Sequence, residues 1–498
     1  MNKNSFEKIK TSYKLPIISG VSAACSLLFG FFDYFIFVGL VPFFLFVYYE
    51  KSLVRLWLGS FLFYCIFNTM LGLFVVIEPL NWILMGLLFG FYGIMLGLTK
   101  KYFSPWFFWF LTPVLFVLLE YGFNVFNYIP GLPLALGNTL GSTIFLPLAR
   151  IAGVWGLGLV VFIVNLLVCK IIIDWKNRRK WFFIIIAVLV FLVSLSGVLW
   201  IQAKNKKLAD NINLAVISFS TKVIENSPEY KELGASMAYA DSAKVNIFLE
   251  KITKEIIGII PETADYVFLP THIFNSTREN EIESEVFSEY GINNNGSIIV
   301  FARQLAKILN KNVITGIVTR EYGKKYNSVL FFDRNGNLVD IYHKTNLVIG
   351  SEYWPFGDWV PFWMYWLSGA KPGQKLYIKS GFSRSETPFS VLKSENLNIG
   401  VLICSEPRIP GNFVKTKSNK AQIVFTPVNN DWYYGLGIAF FQKKYFNTLR
   451  VNSVYHDIPI IVNGKENYAG IIYPDGEYDI VKPEKDQKFN VWSGSLKY

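Results

Sequence analysis

The sequence predicts two parts: a multi-span α-helical membrane domain over residues 1–203 and an α/β domain over 211–480, followed by a polar C-terminal tail at 481–498. Three observations predict this. Of the 498 residues 52% are apolar and only 17% charged, and mean hydropathy is positive. Apolar runs of about twenty residues fill the first 200 or so positions, each long enough to cross a hydrocarbon core about 30 Å thick. From about Asn211 the pattern changes to short β-branched runs separated by helical and turn segments, as in a layered α/β domain. A disordered or collagen-like chain is excluded by the same values.

Seven runs read as spans, at 15–31, 33–49, 55–77, 82–99, 105–126, 152–173 and 181–201. The formal charge is +12, and residues 1–203 hold 14 Lys/Arg against 6 Asp/Glu, so the excess lies mainly in the apolar half. Lys51/Arg55, Lys100/Lys101 and Lys176/Arg178/Arg179/Lys180 each follow an even-numbered run, whereas the loops around Asp33, Glu78 and 127–151 contain only Arg150. Basic residues mark cytoplasmic loops, so the N-terminus is placed in the cytoplasm and everything after Ile201 outside it. The first run has no small-residue cleavage site and leads straight into further spans, so it is read as retained. A nucleic-acid binder would gather its basic residues on one face of a folded domain, so no nucleic-acid partner is expected.

Inside the spans, Glu120 (in LLEYGF) needs a partner or a wet cavity. A helix–helix hydrogen bond and a substrate contact both remain open for it. Gly153-Val-Trp-Gly-Leu-Gly158 has no preceding strand and reads as helix packing rather than a nucleotide loop.

In the second half, 212–219, 264–270, 312–318, 328–333, 398–404, 421–427 and 458–464 read as strands, and 241–259 and 297–310 as helices. Asp333-Arg-Asn-Gly336 and Pro474-Asp-Gly476 are hairpin turn signals. Of four cysteines, Cys25, Cys65 and Cys169 lie in spans, which leaves Cys404 without a disulfide partner in its own domain. Cys404 closes an apolar run in Ile403-Cys404-Ser405-Glu406, a place for inert core or for a nucleophile at a strand-to-turn junction. A thiol nucleophile needs a base to ionise it and a cation or N–H donors for the oxyanion. Lys344, in Asp340-Ile-Tyr-His-Lys344, is the candidate cation, with Glu352 eight residues on.

Tyr342-His-Lys344-Thr-Asn-Leu-Val-Ile-Gly-Ser-Glu352-Tyr353, followed by Gly400-Val-Leu-Ile-Cys404-Ser-Glu406, resembles the nitrilase (carbon–nitrogen hydrolase) superfamily. With the multi-span half, the chain resembles the apolipoprotein N-acyltransferases, which add the third acyl chain to bacterial lipoproteins. Asn430-Asp431-Trp432, Arg450 and Tyr473-Pro-Asp-Gly476 resemble later segments of that family. The resemblance implies an α-β-β-α sandwich for the soluble domain, set outside the cytoplasmic (inner) membrane of a bacterium. It implies Cys404 as the acylated nucleophile, Lys344 as stabiliser of the tetrahedral intermediate and Glu352 as a second glutamate supporting the site. Glu406 matches the glutamate that follows the nucleophile by two. The partners implied are a phospholipid acyl donor and a diacylglyceryl-lipoprotein acceptor, with no cofactor.

The sequence departs from that pattern in two places. The family's general-base glutamate ends a strand, and the corresponding strand here is Tyr266-Val-Phe-Leu-Pro270-Thr271-His272, which puts Thr271 in its position. A threonine hydroxyl cannot take a proton from a thiol near neutral pH. Glu262 imitates the missing motif but precedes the strand. Histidine titrates in the useful range, and His272 is one residue away; adjacent strand residues face opposite sides, so it serves only where the strand ends or bulges at Pro270. His343 adjoins Lys344 without matching a catalytic position, and no spacing supports a metal site. The family also closes with a further spanning helix, where residues 477–498 here are polar. Trp354, Phe356, Trp359, Phe362, Trp363, Tyr365 and Trp366 form an aromatic stretch that reads either as a lid-like loop dipping into the outer leaflet or as ordinary packing.

The function expected is acyl transfer through a Cys404 thioester. The alternative is a homologue without turnover that binds lipid or lipoprotein, in which Cys404 can be replaced without effect. An amidase of the wider superfamily leaves the apolar half without a role.

Overall fold

The structure is a computed structural model that describes residues 12–497 except 73–85, 127–134, 205–210, 234–241, 272–279, 282–297, 350–351, 355, 358, 363–364, 366–370, 372–380, 430–439, 466–467 and 482–486. It divides into two compact units. The helical unit comprises Met1–Lys204 with Pro355–Tyr377 and Ala439–Tyr455, and the two-sheet unit comprises Asn205–Trp354, Ile378–Ile438 and His456–Tyr498. Two stretches of the second half of the chain therefore cluster with the apolar helices.

In the helical unit, apolar helices run over Lys14–Leu28, Val41–Tyr49, Leu53–Gly72, Leu87–Tyr102, Pro105–Phe126, Ala149–Ile173 and Arg178–Lys204. Among the described residues, four segments are long and apolar enough to cross a membrane: Phe32–Tyr49, Pro105–Gly122, Leu146–Ile173 and Trp175–Lys204. The stretch from Gly30 to Tyr49 is broken into 3-10 and α pieces. In hydrocarbon a break leaves backbone groups that water cannot satisfy, so protein must do it. Asn165 does so: its Oδ1 accepts from Leu40 N–H at 2.9 Å, and its Nδ2 donates to Ile36 O at 2.7 Å and to Val161 O at 2.8 Å. Ser19 Oγ accepts from Phe43 N–H at 2.9 Å.

Glu120 plays a comparable part, accepting from Leu136 N–H at 2.9 Å where the 3-10 segment Leu136–Ser142 begins. One of its contacts is thus the backbone of a neighbouring segment. A Cβ on Gly137 would lie 1.9 Å from Val154 O, so the segment touches the helix Ala149–Ile173 backbone to backbone, as the glycine pattern there predicts. The helix Phe440–His456 reaches the same region through Lys443, which pairs with Asp33, and Asn447, which donates to Ser142 Oγ at 3.2 Å.

The two-sheet unit has strands β1 Asn211–Phe219, β2 Tyr266–Thr271, β3 Asn280–Glu281, β4 Asn312–Glu321, β5 Lys324–Phe332, β6 Leu338–His343, β7 Val391–Lys393, β8 Asn398–Val401, β9 Ile423–Asn429, β10 Ile460–Lys465, β11 Ala469–Ile472, β12 Tyr478–Val481 and β13 Phe489–Lys497. One sheet has the order β13-β1-β2-β4-β5-β6, with β3 beside β4; the other has β12-β11-β10-β9-β8-β7. Each has a parallel centre, β1/β2/β4 and β8/β9/β10, flanked by antiparallel strands. Phe268, Ile314, Ile399, Phe425 and Ile461 fill the layer between the sheets, and the Phe268 and Phe425 rings lie 5.0 Å apart. Burying each such side chain contributes roughly 1.5–3 kcal/mol. Helices Ser242–Ile257 and Ile298–Leu309 cover the outer face of the first sheet with Val245, Ile252, Ala302 and Leu305. This is the helix–sheet–sheet–helix layering expected, with Pro410–Ser418 next to the second sheet.

Two details differ from the sequence reading. Residues 489–497, assigned there to a polar tail, form β13 and pair with β1 from Phe219↔Phe489 to Asn211↔Lys497. Their alternation is real though diluted by polar residues: Phe489 and Val491 pack toward the helices, Trp492 and Leu496 into the inter-sheet layer. The strand expected over 398–404 ends at Val401, because the backbone turns at Cys404.

Replacing Asn165 by Leu keeps volume but leaves the Leu40 N–H and Ile36 C=O without a partner. A lower unfolding temperature of the detergent-solubilised protein is expected, corresponding to about 1–2 kcal/mol; an unchanged temperature would show that the break is held by other contacts.

Candidate active site

Strands of both sheets end on the residues singled out in the sequence, two of them (β2 and β8) parallel and one (β6) paired antiparallel with β5. Lys344 follows β6, Cys404 and Glu406 follow β8, and Thr271 closes β2. Carboxyl ends of parallel strands are where open α/β sheets expose chemistry, because the backbone there leaves the ladder.

Cys404 takes φ +55°, in the left-handed region that a side chain with a Cβ rarely adopts. Its N–H donates to Pro427 O of β9 at 2.9 Å, so the strained residue is pinned from the neighbouring strand. The residue as a whole is half-buried.

Lys344 is fully buried, and its ammonium donates to both oxygens of Glu352 at 2.8 Å. Glu352 is fixed in turn by Val348 N–H at 2.8 Å and Asn327 Nδ2 at 3.1 Å, and Asn327 O accepts from Lys344 N–H at 2.8 Å. Burial works against the Lys344 charge, but the carboxylate of Glu352, then Cys404 and Glu406, outweigh it. The lysine pKa is held above its ordinary value and the ammonium stays charged.

Glu406 does not point at the reaction centre as a free base. It is fully buried and accepts from Tyr342 Oη at 3.0 Å, Thr345 N–H at 2.8 Å, Asn346 N–H at 2.9 Å and Ile403 N–H at 2.7 Å. It thereby ties the turn after Lys344 to the turn that carries Cys404. Burial pushes its pKa up, while Lys344 and the three backbone N–H groups pull it back. Every contact is a donor, which fits the carboxylate form.

Burial is also the main influence on Cys404 and raises its pKa; Lys344 lowers it, Glu352 raises it, Arg408 lowers it and Glu406 raises it. These couplings bring Cys404, Lys344, Glu352 and Glu406 into one electrostatic site. Among the described residues, no group of three or more His, Cys, Asp or Glu side chains is arranged to hold a metal ion.

At the end of β2 the register shifts between Phe268 and Thr271: Phe268 pairs with Ile314, and Thr271 with Gly316. Three steps on β2 span two on β4, so a one-residue bulge returns Thr271 to the face of Phe268, toward the inter-sheet layer. A Cβ on Gly316 would lie 2.1 Å from Thr271 Cγ2, so glycine is what leaves room for this side chain. The bulge sought for the histidine thus exists, and it is Thr271 that it turns inward. His272 lies outside the described residues.

The sequence reading missed Asn327, Arg408 and Asn463. Arg408 lay in plain view two residues past Glu406, but Asn327 and Asn463 come from strands that carry no motif. His343, unassigned in the sequence, hydrogen-bonds Ser328 Oγ at 2.7 Å through Nδ1, contacts Glu321 at 3.4 Å and stacks on Tyr326. It braces β5 against β6.

A raised thiol pKa means a smaller thiolate fraction at neutral pH. Alkylation of Cys404 by iodoacetamide, read by intact mass against the Cys404→Ala protein, should therefore accelerate with pH beyond the ordinary thiol pKa of about 8.5. Lys344→Met removes a charge that lowers the pKa and should react more slowly at any given pH. A rate already on its plateau at pH 7 would show a resting thiolate and refute this electrostatic picture.

The profile of the carbon-nitrogen hydrolase family matches residues 243–454. The chain is 27% identical over 202 residues to an apolipoprotein N-acyltransferase of Rickettsia typhi, covering 39% of this chain and 37% of that protein. It is 23% identical over 346 residues to apolipoprotein N-acyltransferase 2 of Treponema denticola, covering 64% and 60%. The matches thus span less than two thirds of these relatives' length. A solved structure, the nitrilase-superfamily member Nit3 of Saccharomyces cerevisiae, aligns with 59% of this chain and 92% of its own at 16% identity and a TM-score of 0.37. The chain therefore carries apolar helices together with a segment, residues 243–454, that matches the carbon-nitrogen hydrolase family, and over part of its length it is similar to apolipoprotein N-acyltransferases.

Proposed function

We propose that the protein is a bacterial membrane N-acyltransferase that moves an acyl chain from a phospholipid to the N-terminal amine of a diacylglyceryl-lipoprotein by way of a Cys404 thioester. The observation that carries this reading is the buried Lys344 ammonium, held by both oxygens of Glu352 and electrostatically coupled to Cys404. An ammonium has three N–H donors; two face Glu352, and the third serves an oxyanion.

In the first half-reaction Cys404 Sγ attacks the ester carbonyl carbon. Negative charge develops on the carbonyl oxygen beside Lys344, the ester C–O bond breaks, and the thiol proton ends on the departing lysophospholipid hydroxyl. In the second, the amine attacks the thioester, the C–N bond forms as C–S breaks, and the amine's proton returns to the thiolate. The stoichiometry closes without a separate base. With Thr271 in the base position, however, the first step lacks assistance that typically contributes about 10²–10⁴ in rate.

The domain is assigned to the outer side of the cytoplasmic membrane by the basic residues of alternate loops. The aromatics Phe356, Trp359 and Phe362 are exposed, which supports a membrane-facing role for their stretch; Trp363 and Trp366 lie outside the described residues.

Intact-mass analysis after incubation with phospholipid vesicles tests the reading. The expected result is an acyl adduct that hydroxylamine removes and that Cys404→Ala and Lys344→Met do not form. An adduct of undiminished yield in Lys344→Met would sink the proposed site. No adduct in the unsubstituted protein, with lipid still bound, would make it a lipid-binding homologue, the reading that Thr271 favours.

A further inference from the structure

Asn463 is a fully buried side chain on β10 for which neither the fold nor the acylation step has a complete use. It stands two residues after Ile461, which fills the layer between the sheets, so it faces that layer too. Its Nδ2 crosses to the opposite sheet and donates to Phe268 O at 3.0 Å, at the start of the bulge that turns Thr271 inward. Its parallel partner on β9 is Pro427, whose carbonyl holds the Cys404 N–H at 2.9 Å. Asn463 thus stands near the carboxyl end of the strand beside the one that pins the nucleophile, and bridges to the start of the bulge that ends in Thr271.

One half of this amide is explained as a bridge between the sheets. The other is not: Asn463 Oδ1 is buried and has no hydrogen-bond partner among the described residues. A bridge uses only the Nδ2 half of the amide and leaves the buried acceptor to be accounted for.

The chemistry of the two substrates decides what fits it. An ester offers only oxygen acceptors at its reacting centre, and these cannot satisfy Oδ1. A primary amine offers N–H donors and a lone pair, and a hydrogen bond from one N–H to a fixed oxygen aims the lone pair. We propose that Asn463 Oδ1 receives the acceptor's primary amine and orients it for attack on the Cys404 thioester. This rests on the acyl-transfer reading above and assigns a residue to its second half. In that step the amine nitrogen bonds the acyl carbon, the C–S bond breaks, and one N–H proton passes to the Cys404 sulfur; Asn463 holds another N–H and exchanges no proton itself.

The two half-reactions separate the possibilities. Full-length protein in detergent is acylated from phosphatidylethanolamine vesicles and then given a synthetic peptide with an N-terminal S-diacylglyceryl-cysteine, or hydroxylamine as a small nucleophile needing no orientation. Asn463→Ala should acylate to the wild-type extent and lose its adduct to hydroxylamine at the wild-type rate. Transfer to the peptide should fall about tenfold or more, the loss of one oriented hydrogen bond. Asn463→Ser, which removes the amide oxygen but keeps a small polar side chain, should show the same split and stands in if the alanine variant does not fold. Undiminished transfer by either folded variant overturns the proposal, as does an equal fall in acylation and transfer, which marks a structural role. No adduct in the unsubstituted protein overturns the acyl-transfer reading, and the role of Asn463 with it.

Discussion

The Glu406 carboxylate lies in the interior of the two-sheet unit, and what that position demands shapes everything around it. A buried carboxylate without donors would cost several kcal/mol, so its surroundings must supply them. Three of the four donors come from turns rather than side chains: Thr345 and Asn346 after β6, and Ile403 after β8. Once those turns close on one carboxylate, Lys344 and Cys404 are neighbours by construction. The proposed oxyanion stabiliser and nucleophile are then positioned by groups without a part in the proposed reaction, which is how a site on loops can be held as firmly as one on strands.

The charges in the site are arranged in near balance. Lys344 and Arg408 oppose Glu352 and Glu406 around the thiol. A free thiolate would add a net negative charge to this buried set, which burial already disfavours. In the proposed acyl transfer the tetrahedral oxyanion would sit against the lysine, an arrangement that favours charge on the substrate over charge on the resting sulfur. This is the direction in which catalysis must discriminate. In the proposed reaction a site without a glutamate at position 271 thus keeps its stabiliser and lacks assistance to proton departure.

How much of this was legible in the sequence follows from the range of each interaction. The apolar runs were legible from length alone, and the charged side chains of the site from short motifs in which Lys344 and Glu352, or Cys404 and Glu406, lie close in the chain. The break in the second apolar run was not, because it is held by Asn165, more than a hundred positions away. The strand-to-turn junction at Cys404 was expected, but its left-handed backbone was not, because nothing local marks a positive φ on a cysteine. Asn327 and Asn463 act through strand neighbours brought together by the fold, and a polar residue inside a strand pattern gives no sign of what it will face. β7 and β12 sit at the edges of the second sheet, where three or four residues with one exposed face leave little periodicity to find.

The pairing of β13 with β1 bears on the order in which the domain can be completed. β1 is an interior strand only because residues 489–497 lie along one side of it. While the chain is being made, β2 and β4 can join β1 on its other side, yet the free side keeps its N–H and C=O groups unpaired until almost the whole domain has emerged. An unpaired edge is a template for wrong partners, and contacts of such long range form late. The last step of folding is thus a strand addition, and a nascent chain halted before residue 489 would present a sticky edge next to the β2 end of the site rather than a finished sheet.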